Sequence, residues 1–179
     1  SDLIGKICSQ QKVDIIVFPE LCTTGAELGV KFTELAQRVP GPNVNLIAQR
    51  ASEFGVYIAF GLPTKEKVES ILFNSFVLVG PDGELVGEYR KVHLKGEERM
   101  AFRSGLRFLP LETDFGLVGL LHGYDLAFPE AARALALEGA ELVLVGGNWE
   151  KSHAEEWRTY VRARAFENSL FVAAANRVG

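Results

Sequence analysis

Residues 117–145, LVGLLHGYDLAFPEAARALALEGAELVLV, decide the architecture of this chain. Residues 117–121 form a short continuous apolar run, the pattern of a strand covered on both faces. Residues 129–139 then read as a helix, with Pro129 in the first turn and Gly139 at the end. Residues 141–145 return to a buried strand. Strand, turn, helix and strand in succession make the repeating unit of a layered α/β domain.

The alternation continues outward. Residues 13–18 (VDIIVF) read as a buried strand that stops at Pro19-Glu20. Residues 42–54 carry Val44, Ile47, Ala48 and Ala51 at helical spacing, with Gly55 just beyond, and residues 56–62 (VYIAFGL) form the next strand. Residues 74–79 and 84–90 flank Pro81-Asp82-Gly83, where turn geometry favours proline and glycine, so they form a hairpin. A helix over 154–168 and a strand over 170–175 complete the reading. The hairpin makes the sheet arrangement mixed rather than all parallel. No linker, low-complexity tract or short-period repeat divides the chain. Its 179 residues fit one domain over 1–179, on the prior of roughly 100–200 residues each.

Composition narrows the function. With 47% hydrophobic and 23% charged residues the chain can build a core. A net charge of −4 offers no basic footprint for nucleic acid. No apolar run approaches the ~20 residues that span a bilayer, so no membrane partner is expected. The opening SDLIGKICSQQ lacks the pattern of a signal peptide, and two cysteines, Cys8 and Cys22, make no disulfide framework; a cytoplasmic location is the expectation. His93, His122 and His153 lie far apart and form no metal-ligand spacing.

Several residues could carry chemistry. Glu20 closes a buried strand, where α/β proteins gather active-site groups, and suits general-base work. From position alone a capping or salt-bridging glutamate is equally open. Lys91 stands in YRKVHLKGEERMAFRSG, and beside Arg90 and Lys95 its local pattern favours a solvated basic face. A buried lysine next to Glu20 would instead be a fixed charge able to stabilise an oxyanion. Glu97 and Glu98 by themselves read as exposed loop carboxylates. GYDLAFPEAAR puts Gly123, Tyr124 and Asp125 between a strand and a helix, where backbone N–H groups are free to face an anion. Nucleophile elbows occur in such turns, although G-x-S-x-G is absent, as are phosphate-binding and dinucleotide-binding glycine motifs. His122 should face the opposite layer from residue 123 and reads as a hydrogen-bonded core histidine. Cys22 reads as a small buried filler rather than a reactive thiol.

Taken in order, VFPEL, YRKVHL with GEERMAF and SG, GYDLAFPEAARALALEGAEL, GGNWE and RARAFENSLFVAAANRVG resemble the nitrilase, or carbon–nitrogen hydrolase, superfamily across nearly the whole chain. The resemblance implies an αββα sandwich with mixed sheets. It also implies hydrolysis of a small linear amide or carbamoyl compound, less readily a nitrile, to acid and ammonia. In that family a cysteine attacks the C–N carbon, a glutamate serves as base and acid, a lysine stabilises the tetrahedral intermediate and a second glutamate orients the site. Carried over, the base is Glu20, the lysine is Lys91 and the second glutamate is Glu98. The backbone N–H of Tyr124 is the other oxyanion donor, and Asn148 and Trp149 lie beside the substrate. No metal or organic cofactor is implied.

Three departures qualify this. Gly123 stands where the family carries its cysteine; glycine cannot attack carbon, so the chain as written is expected to be inactive, with a pocket-retaining binding or scaffold protein as the alternative. Thr24-Gly25-Ala26 lacks the aromatic that often follows this Thr-Gly, which alters the pocket floor. The family's opening and closing strands are missing from the chain, so the domain is expected to be incomplete at both ends. Apolar edges of that kind favour a homo-oligomer.

Overall fold

The structure is a computed structural model that describes residues 2–67 and 71–177. Helix α1 (Asp2–Gln10) leads into strand β1 (Ile15–Val17), followed by a short helix α2 (Phe32–Leu35) and helix α3 (Pro42–Phe54). Three strands come next, β2 (Tyr57–Lys65), β3 (Leu72–Val79) and β4 (Leu85–Arg90). The second half holds α4 (Glu98–Ala101), β5 (Leu111–Thr113), β6 (Gly116–His122), α5 (Pro129–Leu137), β7 (Leu142–Gly147), α6 (Ala154–Asn168) and β8 (Phe171–Asn176).

Two four-stranded mixed sheets result, ordered β1-β2-β3-β4 and β5-β6-β7-β8. Where a helix intervenes, as α3 does between β1 and β2, or α5 and α6 around β7, the flanking strands run parallel. Where a short turn intervenes, they run antiparallel. Side-chain alternation then builds the layers. Ile58, Phe60, Val77 and Val79 face Ile4, Val44, Ala48 and Ala51 of α1 and α3. The opposite faces, with Tyr57, Ala59, Phe76 and Leu78, meet Val118, Leu120 and Leu144 of the other sheet. Leu121, Val143 and Val145 pack under Ala132, Leu135 and Trp157 of α5 and α6. The expected αββα sandwich is the observed fold.

Helices α3 and α6 have the bounds read from the sequence. Pro42 starts α3, and Gly55 at φ +63° caps it in the left-handed region that suits glycine. Helix α5 stops two residues before Gly139, at Leu137. Strand β1 is three residues where six were expected, and β2 runs on to Lys65 because β3 pairs with it along its full length. Strand β5 and the one-turn helices α2 and α4 were not anticipated; three or four residues carry too little periodicity to read.

Candidate active site

Glu20 follows β1, and the chain turns at once through Leu21, a buried non-glycine residue held at φ +48°. A left-handed leucine is strained, and such strain concentrates at functional sites. Gly61 of β2 permits the approach. A Cβ there would come within 2.5 Å of the Leu21 nitrogen, 2.7 Å of His122 Cε1 and 2.9 Å of the Glu20 Cα.

Lys91 follows β4, and its N–H donates to the Asn74 carbonyl at 2.9 Å. Its side chain is only 3% exposed, so it is not part of a solvated basic face. The ammonium donates to Glu20 Oε1 at 2.6 Å and to both Glu98 oxygens at 2.8 Å. Asn74, fully buried on β3, joins the same two carboxylates: its Nδ2 donates to Glu20 Oε1 at 2.7 Å and to Glu98 Oε1 at 2.9 Å. Glu98 is therefore a fixed partner of Lys91 rather than a free loop carboxylate. Burial opposes the charge on Lys91, but the two carboxylates outweigh it and hold the pKa above the ordinary lysine value. The lysine stays an ammonium.

Gly123 opens a 3-10 turn (Gly123–Ala127) directly after β6 and sits at φ +52°. A Cβ on it would lie 2.2 Å from Glu20 Oε2, so the carboxylate covers this position closely. The first N–H groups of such a turn, that of Tyr124 among them, have no partner within the turn. The elbow is held from three sides. Asp125, fully buried, accepts from Tyr89 Oη at 2.6 Å and the His93 backbone N–H at 2.7 Å, and meets His93 Nδ1 at 2.8 Å. Arg164 of α6 donates to the Leu126 and Ala127 carbonyls at 3.0 and 3.1 Å. The Trp149 indole donates to the Gly123 carbonyl at 3.3 Å. Tyr89 and His93 bracket Lys91 in sequence, so Asp125 ties the elbow to the lysine strand.

Glu20, Lys91, Glu98, Gly123, Tyr124, Asn148 and Trp149, the positions that the resemblance singled out, all line one cavity of about 340 Å³. Ala26 lines it as well. Over its aromatic wall lies the Lys95 ammonium, 5.2 Å from the Tyr124 ring centre and 5.8 Å from that of Trp149. Asn74, the Asp125 anchors and Arg164 went unread. A lone asparagine in LFNSFVLV was the available signal for the first.

Two expectations need correcting. His122 is fully buried and stacks on Phe76 with ring centres 4.9 Å apart, as a core residue should. Neither ring nitrogen has a hydrogen-bond partner among the described residues, so it is not satisfied. Burial, and then the Lys91 charge, push its pKa well below the ordinary histidine value. Cys22 is exposed rather than buried, with Sγ 3.5 Å from the Gly61 carbonyl and no place in the cavity lining. Desolvation of the sulfur nevertheless pushes its pKa up to about 11, which fits the expectation that it is no reactive thiol. Among the described residues no group of His, Cys, Asp or Glu could hold a metal ion, and no helix is long and apolar enough to cross a membrane.

A buried carboxylate and ammonium thus face a strand–turn–helix elbow across one cavity. Residues 2–179 match the carbon-nitrogen hydrolase family, and the chain belongs to it. A probable nitrilase of Schizosaccharomyces pombe is 43% identical over 173 residues, covering 96% of this chain and 64% of that protein. An (R)-stereoselective amidase of a Pseudomonas species is 37% identical over 166 residues, covering 93% and 60%. The fold matches that of Saccharomyces cerevisiae Nit3, a nitrilase-superfamily member, with a TM-score of 0.90 at 22% identity over 99% of this chain and 67% of that one. The chain thus spans about two thirds or less of the length of these relatives.

Proposed function

We infer that this cavity is an amidase site for a small linear amide or carbamoyl compound, and that Gly123 occupies the position of its nucleophile. The observation that carries this is the convergence of Glu20 Oε2 on the Gly123 elbow while Oε1 is bonded to Lys91 at 2.6 Å. A thiol at residue 123 would give its proton to Glu20 and attack the amide carbon. Lys91 Nζ and the Tyr124 N–H would hold the oxyanion, and Glu98 would keep Lys91 aimed. Glu20 would return the proton to the departing ammonia, then deprotonate the water that cleaves the thioester. Asn148 and Trp149 would border the substrate. Without a side chain at 123 only the oxyanion donors remain, and losing a covalent nucleophile costs on the order of 10⁶-fold in comparable serine systems.

The test is ammonia release from a panel of small amides by the chain and by Gly123→Cys. The chain should be silent and the variant should turn over, once the Glu20 carboxylate swings aside for the new side chain. A folded variant that stays silent across the panel overturns the reading. Close coverage of Gly123 by Glu20 also supports a second reading, a protein that binds an amide or carboxylate without cleaving it. Calorimetry with small amides and acids, on the chain and on Lys91→Ala, decides this: absence of binding to both removes it.

A further inference from the structure

A second hollow, of about 920 Å³, lies away from this site, where β4 and the segment 103–111 part. Its volume falls in the ordinary range of small-molecule sites, about 300–1,000 Å³. The lining is mainly apolar: Phe73, Tyr89, Leu106, Leu109, Leu111 and Leu120. Leu106 is 92% exposed and Leu109 51%, so leucine surface on this wall faces water at a free-energy cost that an apolar occupant would remove.

The charges around it are unequal in their commitments. Glu66 and Glu88, which also line the hollow, are both engaged by Arg90, whose guanidinium lies 4.1 Å from the Phe73 ring centre. Glu88 further accepts from Thr64 at 2.9 Å and Ser75 at 2.7 Å. Arg103 and Arg107, on the same lining, make no side-chain ion pair or hydrogen bond with any described residue. Both acids are engaged by Arg90 while the Arg103 and Arg107 guanidinium groups are engaged by no described residue, and with Lys67 the described lining carries four cations against two carboxylates. A cation would find no free carboxylate, whereas a carboxylate would find two planar, fork-shaped donors beside an apolar wall.

We propose that this hollow binds an amphipathic monocarboxylate, with its apolar tail against Leu109, Leu111 and Leu120 and its head on Arg103 and Arg107. The site is independent of the amidase reading. The probe is decanoate, titrated into the full chain by calorimetry below its micelle-forming concentration, with decanol and decylammonium as controls. Saturable binding at one site per chain is expected, about tenfold or more tighter than either control. Arg103→Ala with Arg107→Ala should weaken decanoate by a similar factor while leaving decanol unchanged, and added salt should do the same. Both arginines are exposed, so the fold tolerates the change. Decanol binding as tightly as decanoate, indifference to loss of both arginines, or no saturable binding overturns the proposal. So does a dimer in light scattering that Leu106→Ser dissolves, because this face would then belong to a second copy.

Discussion

The two sheets contribute to the candidate site in different ways. The first supplies charge: Glu20, Lys91 and, just beyond it, Glu98, joined with the neutral Asn74 amide by side-chain contacts of 2.6–2.9 Å. The second supplies shape: a turn whose carbonyls and Asp125 are gripped from outside by Arg164, Trp149, Tyr89 and His93. Each charge in the first half depends on its neighbours, so deleting one strands the others. In the second half the turn is gripped through backbone carbonyls and Asp125, so none of these contacts uses a side chain at residue 123.

Deleting Lys91 should break the contrast most severely. Lys91→Ala leaves Glu20 and Glu98 without their cation in a buried setting, and urea unfolding should show a loss of about 3–5 kcal/mol. Because the folded pKa of Lys91 is raised, its contribution is whole below about pH 10.4 and fades as pH climbs through the folded value. The gap between the chain and the variant should shrink as pH climbs through that folded value; a gap that stays constant there contradicts the pairing.

Asp125→Ala attacks the other half. It orphans a buried tyrosine hydroxyl and the His93 N–H, for about 2–4 kcal/mol by the same measurement. Unchanged stability would show that the elbow does not need this anchor. Gly123→Ala is smaller, about 1–2 kcal/mol for an L-residue in the left-handed region, together with displacement of the Glu20 carboxylate. A thermal scan in which the alanine variant matches the parent would refute the close coverage of Gly123.

His122 gives the smallest effect, and it lies between the halves. Its folded pKa is depressed, so the unfolded chain binds the proton first and stability is lost as pH falls below about 6.5. The slope from this residue cannot exceed about 1.4 kcal/mol per pH unit. Replacing it with leucine should flatten that part of the acid limb, and an identical limb in both proteins would assign the effect elsewhere.

Much of this was legible in the sequence because local rules and global fold agree. Pro42 and Gly55 mark α3 at both ends, and the apolar runs of β6 and β7 need no context to be read as strands. Lys91 was not legible from its own surroundings: YRKVHLK is basic throughout, and only the return of Glu20, 71 residues earlier, makes one of its cations buried. Asn74 was hidden for the same reason, since its two carboxylate partners come from distant segments. The missing partners of His122 depend on which atoms the opposite sheet happens to present, here the Phe76 ring.

Gly61 has a wider role than its size suggests. It lies where the first strand's exit, the following turn and the other sheet's histidine crowd together, with 2.5–2.9 Å to spare for a side chain that needs more. Even a methyl group there would act as a wedge, lifting the carboxylate away from its ammonium while prising the two sheets apart. The spacing between charge and elbow is thus governed by a residue outside the cavity lining.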